Sequence, residues 1–429
     1  MNEAFDCDFV NLSTSRSMEE IGKGGIKKLF RFVAAYFEVL WKLITHRYSL
    51  CYLAITCHGM GFLKDAPFVL LCKLFGRKVV LHQHNKGMSR DVNRWPYRWL
   101  MPLVYRNTTV MLLSWHLYED ISAVVKREQV VVCANGVPPL DNGQTKFAGR
   151  REKQQSTDNG LLRDQDTQSV YDNVNENEDE FTIHNSQFTI GRPDGTLNSN
   201  PLTLNEDEKT AALYEDDNCK KQKARLLFLS NLIESKGVYV LLDACKVLKE
   251  RGLQFACDFV GGETKEIDRV RFETAIKERG LEGVVCYQGP KYGDEKERYL
   301  AMADVLVFPT YYYNECFPLV ILEAMQHKLA VVSTTEGAIP DVVSNGVNGF
   351  VVERKNAVAL ADALEQLIAN MELCHQMGEQ GYARYKEHYT LEVFEKRFTA
   401  LLLKITDNRL WTTDNGQQTT DGHPDGSHV

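Results

Sequence analysis

Two stretches of the chain alternate short apolar runs with longer helical segments, and that alternation leaves few architectures open. In residues 1–140 the runs are Asp8–Leu12, Leu50–Ile55, Lys78–His82, Thr109–Leu113 and Val130–Cys133. In residues 223–390 they are Leu226–Leu229, Ala256–Val260, Val284–Tyr287, Val305–Phe308 and Leu329–Ser333. Strands separated by helices are joined by crossovers, so each stretch predicts an α/β domain: a parallel sheet with helices on both faces. Ligands of such sheets bind outside the carboxyl ends of the strands, so the residues just after each run are the ones to search for chemistry.

Between the two stretches, residues 141–222 are mostly Asn, Asp, Gln, Thr and Glu, with few large apolar side chains. Such a segment cannot bury enough surface to offset its ordering entropy, and it reads as a disordered acidic and polar insertion. It also accounts for the net charge of −8: about 17 acidic against about 9 basic residues fall within 141–221. The rest of the chain is close to neutral, which gives no footing for nucleic-acid binding. A C-terminal helix is expected over 391–405, followed by a second disordered stretch over 406–429.

The 11 cysteines include no C-x-x-C pair and are scattered through apolar runs, as reduced buried thiols of a cytoplasmic protein would be. No apolar stretch reaches the ~18 residues needed to span a bilayer. The helix from Ile26 to about His46 carries Lys27, Arg31, Glu38 and Lys42 on one stripe. Packing beneath the first sheet and insertion at a membrane surface are both open to it.

The richest local signal is Tyr313–Met325, which follows the strand-like run Ala303–Pro309. Pro318 suits the first turn of a helix, where its missing N–H costs nothing. The free N–H groups near Leu319 and Val320 then favour an anion, and a diphosphate fits. Glu315 lies before that helix and Glu323 more than a turn inside it, flanking the anion site as acceptors for sugar hydroxyls. In the second domain, Lys236-Gly237 ends the loop after the first strand and precedes an amphipathic helix, a placement that suits a phosphate contact. In the first domain, His82 and His84 share one face at a strand end. No third ligand accompanies them, so no metal is assigned, and a rim histidine is the plain alternative to a catalytic one. Asp6-Cys7-Asp8 and Asp164-Gln165-Asp166 imitate a D-x-D metal motif at the chain start and in the insertion, and neither is assigned a metal.

The segment Glu315–Glu323 resembles the E-x7-E motif of the retaining GT-B glycosyltransferases of family 4, the group 1 transferase type. Arg225–Val238, Glu336–Asp341 and Asn345–Phe350 continue the likeness. The resemblance is strong over 223–405 and weak over 1–140. It implies two Rossmann-like, doubly wound domains facing a cleft, with an acceptor-side domain over 1–140 and a nucleotide-sugar domain over 223–390. It also implies transfer of a sugar from a UDP- or GDP-linked donor to a glycan or lipid-linked acceptor with retention and without a metal or other cofactor, in cell-surface polysaccharide or glycolipid assembly. Lipid-linked acceptors leave peripheral contact with the inner membrane face open. Carried over residue by residue, Glu315 and His84 are catalytic; Asn231, Lys236, Phe317, Pro318, Leu319, Val320 and Glu323 bind the donor. Asn231 stands where the family usually has an arginine, removing one charge from the diphosphate site. The chain opens at what resembles the family's second strand, so the mid-sheet first strand and its Gly-rich loop are expected to be missing. These departures keep two rivals in view: a weak or silent sugar-nucleotide binder, and a sugar-nucleotide epimerase of the same architecture.

Overall fold

The computed structural model describes residues 5–12, 26–140 and 223–407. The insertion 141–222 and the tail beyond 407 therefore lie outside the described residues. In chain order the elements are α1 (Ile26–Thr45), β1 (Leu50–Ile55), α2 (Gly59–Leu74), β2 (Lys78–Gln83), α3 (Met88–Asp91), α4 (Tyr97–Tyr105), β3 (Thr109–Leu112), α5 (Tyr118–Ile121) and β4 (Val130–Val132). There follow β5 (Ala224–Leu229), α6 (Val238–Glu250), β6 (Phe255–Val260), α7 (Arg269–Glu278), β7 (Val285–Gly289), α8 (Gly293–Met302), β8 (Val305–Phe308), α9 (Leu319–Gln326), β9 (Ala330–Thr334), α10 (Ile339–Val342) and β10 (Gly349–Val352). The last helices are α11 (Ala357–Ala369), α12 (Met371–His388) and α13 (Leu391–Thr406). Two compact units result: one holds the described residues up to Pro138 and from Glu387 on, the other those from Pro139 to Lys386.

The first unit is built on a four-stranded parallel sheet in the order β1-β2-β3-β4. Val79, Val80 and Leu81 of β2 are almost wholly buried, as a strand covered on both faces must be. Period-2 alternation sorts the two covers. Gln83 donates to the Tyr105 hydroxyl of α4 on one face, whereas Val80 packs with Met111, Cys133 and the α13 residues Phe398, Leu402 and Ile405 on the other. Lys78 Nζ donates to the carbonyls of Ile405 and Thr406, which closes the end of α13. The C-terminal helix is therefore part of the core of the N-terminal sheet.

One expectation needs adjustment. The run Asp8–Leu12 is not a strand. Alternation alone finds no ladder partner there, and Asp8 is instead bonded by Lys42 Nζ at 3.1 Å and by the Tyr48 hydroxyl. Helix α1 sets Phe32 and Tyr36 against Phe68 of α2 and buries Ala35 and Leu43, while Phe30, Phe37 and Trp41 stay 60–70% exposed.

The second unit has a six-stranded parallel sheet in the order β10-β9-β8-β5-β6-β7. From β5 the chain winds outward through β6 and β7, then returns to lay β8, β9 and β10 on the other side. The direction reverses between β5 and β8, and this switch point opens the crevice where such sheets take ligands. Leu226–Phe228, Val305–Phe308 and Ala330–Val332 are buried. Helix α6 buries Val238, Leu241, Leu242, Cys245 and Leu248, the i, i+3, i+4, i+7 stripe that seats it on the sheet.

Candidate active site

The site grows from the two loops at the switch point. After β5 the chain makes a 3-10 turn over Glu234–Lys236 and ends it on Gly237 at φ 91°. A side chain at Gly237 would be strained at that φ, and its Cβ would fall 2.3 Å from the Pro309 carbonyl oxygen, so the glycine lets the loops after β5 and β8 touch. Tyr311 N–H donates to the Ser235 carbonyl (2.8 Å), which ties the same two loops together. The loop after β9 props the β8 loop from below. Ala338 N–H donates to the Cys316 carbonyl (2.8 Å), and Gly337, at φ 56°, passes so close that a Cβ would lie 2.5 Å from the Glu315 carbonyl oxygen.

These supports bring Lys236 and Glu315, 79 residues apart in sequence, into an ion pair of 2.7 Å between Nζ and Oε2. Both side chains are largely buried, at 14% and 10% exposure. The ammonium also lies over the rings of Phe308 (5.5 Å) and Tyr312 (4.7 Å), whose faces favour a cation. Phe317 is buried and Pro318 caps α9, so the helix begins at Leu319. As the first groups of a helix, the N–H of Leu319 and of Val320 have no intrahelical acceptor, and both residues are partly exposed.

Glu323 lies one turn further along α9. Its Oε1 accepts from Lys296 Nζ of α8 at 3.0 Å, and Lys296 also stands 3.6 Å from Glu297. Burial raises the Glu323 carboxyl above the ordinary glutamate range, against the pull of Lys296. Glu297 moves the other way: burial pushes it up, but the 2.6 Å bond to His327 Nε2 and the nearby Lys296 outweigh burial. Beside these pairs, Glu336 is 2% exposed and accepts from Arg354 Nη1 at 2.7 Å. Asn231 directs its side chain inward: its Oδ1 accepts from the Gly262 N–H at 3.0 Å, joining the loops after β5 and β6.

The structure thus gathers Lys236, Glu315, Phe317, Pro318, Leu319, Val320 and Glu323 around the switch point, with Asn231 in the β5 loop. His84 belongs to the first unit, just past the end of β2. Its ring lies 4.0 Å from that of His82, centroid to centroid, and burial lowers it to about 4, so it is a neutral imidazole at physiological pH. His82 Nδ1 shares a 2.6 Å hydrogen bond with the Tyr52 hydroxyl. Lys296, Glu297, His327 and Arg354 have no counterpart in the sequence reading. Lys296 and Glu323 sit on different helices with no spacing rule between them, and Arg354 is separated from Glu336 by a whole strand. Glu336 opens a motif visible in the sequence, which was its one signal.

Residues 212–384 match the family described as glycosyl transferases group 1, a span that contains both loops of the site. The chain is 33% identical over 150 residues to the amylovoran biosynthesis glycosyltransferase AmsK of Erwinia amylovora, covering 34% of this chain and 36% of the relative. It is 32% identical over 157 residues to a D-inositol 3-phosphate glycosyltransferase of Corynebacterium aurimucosum, covering 35% and 36%. The matched stretch spans about a third of the length of these curated relatives. Among solved structures, Anabaena Alr3699/HepE in complex with UDP superposes with a TM-score of 0.61 at 17% identity, over 86% of this chain and 82% of that one. A glycosyltransferase of Rickettsia africae gives 0.58 at 16%, over 91% and 84%. With its four- and six-stranded parallel sheets, the chain has the GT-B fold, and its match to the group 1 glycosyl transferases lies over residues 212–384.

Proposed function

We propose that the chain is a retaining glycosyltransferase of family 4, which moves a sugar from a UDP- or GDP-linked donor to a glycan or lipid-linked acceptor. The observation that carries this reading is the meeting of Lys236 and Glu315 at the switch point beside the first turn of α9. One small region offers a cation and two helix-start N–H groups for a diphosphate, and a carboxylate for a sugar.

Transfer gives the anomeric carbon oxocarbenium character while charge grows on the departing diphosphate, so fixing both ends lowers the barrier. Lys236 and the Leu319 and Val320 N–H groups meet the diphosphate, Glu315 holds the sugar hydroxyls, and Glu323 accepts from the ribose. Lys296 occupies one Glu323 oxygen, which leaves the other for that contact. By resemblance to the family, His84 stands near the transferred sugar, and the leaving phosphate takes the acceptor proton on the same face. With Lys236 and the helix start covering the diphosphate charge, the reaction is read as metal-independent. Names among the relatives, such as amylovoran biosynthesis and, in Escherichia coli, colanic acid biosynthesis, support a role in cell-surface polysaccharide or glycolipid assembly. Among the described residues no helix is long and apolar enough to cross a membrane. A cytoplasmic address is proposed, with the exposed face of α1 as the point of any peripheral membrane contact.

A thermal-shift screen of UDP- and GDP-sugars, followed by transfer assays and NMR of the product's anomeric centre, tests the reading. Donor-dependent stabilisation and a product of retained configuration are expected; an inverted product rules out the retaining mechanism. Asn231 favours one rival, the silent binder, because its amide oxygen is engaged with Gly262 and it brings no charge to the phosphates. Donor binding with neither transfer nor hydrolysis would identify that rival.

A further inference from the structure

The groups assigned to the two halves of the donor are bonded to one another. Lys236 is needed by the diphosphate and Glu315 by the sugar, yet Nζ and Oε2 lie 2.7 Å apart with both side chains largely buried. Resting on the functional reading above, we propose that this is an exchangeable ion pair. Glu315 competes with the nucleoside diphosphate for Lys236, so the carboxylate that meets the sugar also holds down the affinity of the sugarless product.

Three features of the site make the exchange one-sided. The Glu315 end is fixed: its N–H donates to the Tyr312 carbonyl at 2.8 Å, and its own carbonyl is pressed by the Gly337 backbone. The Lys236 end is not. Its flexible stem carries the ammonium over two aromatic faces, Tyr312 at 4.7 Å and Phe308 at 5.5 Å, so the charge keeps favourable contacts when it swings from carboxylate to phosphate. The neighbouring pairs of Glu323 and Glu336 do not join the facing sides of the switch point. Lys296 and Glu323 connect neighbouring helices, with Lys296 also near Glu297, and Arg354 and Glu336 lie after β10 and β9.

The chemical consequence depends on the ligand. An intact donor offers Glu315 its sugar hydroxyls as Lys236 leaves, so both partners gain new hydrogen bonds. A nucleoside diphosphate offers Lys236 a phosphate but leaves a largely buried carboxylate without its cation, and an unpaired buried charge is costly. Re-forming the pair therefore favours release of the product.

Isothermal titration of UDP and of GDP into the full chain, its E315Q, E315D, K236M and E323A variants and the E315Q/K236M double variant tests this at one pH and salt. The better-binding nucleotide is followed. The E315Q change keeps the size of the side chain and removes its charge, so nucleoside diphosphate affinity should rise roughly 3- to 10-fold, about what one ordinary net hydrogen bond contributes. E315D, which keeps the charge but shortens its reach, should give a smaller rise. K236M should weaken binding, and in its background E315Q should change nothing. Unchanged or weaker binding in both Glu315 variants overturns the proposal. So does an equal rise for E315Q with and without Lys236, since general charge repulsion would then be the cause. Unaltered nucleotide binding in both K236M and E323A instead overturns the underlying assignment of the donor site. Weakening in both without a gain from the Glu315 variants overturns the ion-pair exchange alone.

Discussion

The ends of the strands are built differently in the two units, although both sheets are parallel and covered by helices. In the four-stranded unit each buried carboxylate bonds a backbone N–H, although Asp91 also accepts from Arg94 Nη1 at 3.2 Å. Asp65 accepts from Thr56 N–H at 3.0 Å and Asp91 from Gly59 N–H at 2.8 Å. Asp120 accepts from the N–H groups of Gly87, Met88 and Ser89 and from the Ser89 hydroxyl. In the six-stranded unit the carboxylates face side-chain cations: Glu315 with Lys236, Glu323 with Lys296, Glu336 with Arg354. A carboxylate that satisfies backbone N–H groups is locked, because releasing it leaves several donors unpaired. One that faces a lysine can give that lysine up to an anionic ligand. The first arrangement makes a rigid platform and the second an exchangeable site.

The largest effect expected from breaking this contrast is on chemistry. K236M should lower kcat/KM by about 10²–10³-fold, as loss of one preorganised group facing developing charge does. E315Q should lower kcat far more than it weakens the intact donor. Initial rates against donor concentration check both, and near-wild-type turnover in either variant would leave the paired charges as ordinary structure. Next comes D120A, which strands the three N–H donors before and within α3 and should cost about 2–3 kcal/mol of stability in urea denaturation. Nucleotide affinity should be untouched, and a loss of UDP or GDP binding would show that the two units do not divide their work in this way. On the proposed reading, E323A removes an acceptor that serves donor and transition state alike. Donor affinity should fall by roughly 1.5–3 kcal/mol with kcat preserved, and a rate defect would reverse the roles given to the two glutamates.

The smallest effect is in the pH profile. Burial lowers His58, His82 and, to about 4, His84. Below the unfolded histidine value of about 6.5 the unfolded chain then binds more protons than the folded one, so stability is full above that pH and declines as pH falls toward 4. Glu323, raised by burial, acts in the opposite sense: its folded form holds a proton more readily than the unfolded chain. Hydrogen exchange at pH 6.5 and 5 should therefore show the β2 and β3 amides loosening more than those of β5 and β8. The variant H84Q should flatten the slope by about 1 kcal/mol, since a partly exposed ring feels only part of the burial cost. Equal loosening in both sheets would erase this part of the contrast.

Much of the site was legible because its signals are local. Pro318 before an apolar stripe marks a helix start, Lys236-Gly237 marks a turn after a strand, and His82 and His84 share a face by strand alternation; each depends only on neighbouring residues. Alternation failed at Asp8–Leu12, where the pattern is present without a partner strand, and a ladder needs two. Asn231 was placed in the correct loop, but its inward bond to Gly262 depends on the loop after a different strand.

By itself, then, the sequence determined the two α/β stretches, the loops that follow their strands and the residue types set there. Only the tertiary structure decided which charges meet. Lys296 reaches Glu323 across two helices, Arg354 reaches Glu336 across a strand, and Lys78 closes a helix that ends at Thr406. Those meetings follow from the strand order β10-β9-β8-β5-β6-β7 and from α13 returning to the first sheet. Strand order is settled by long-range packing of many apolar faces at once, and no short-range spacing along the chain records it.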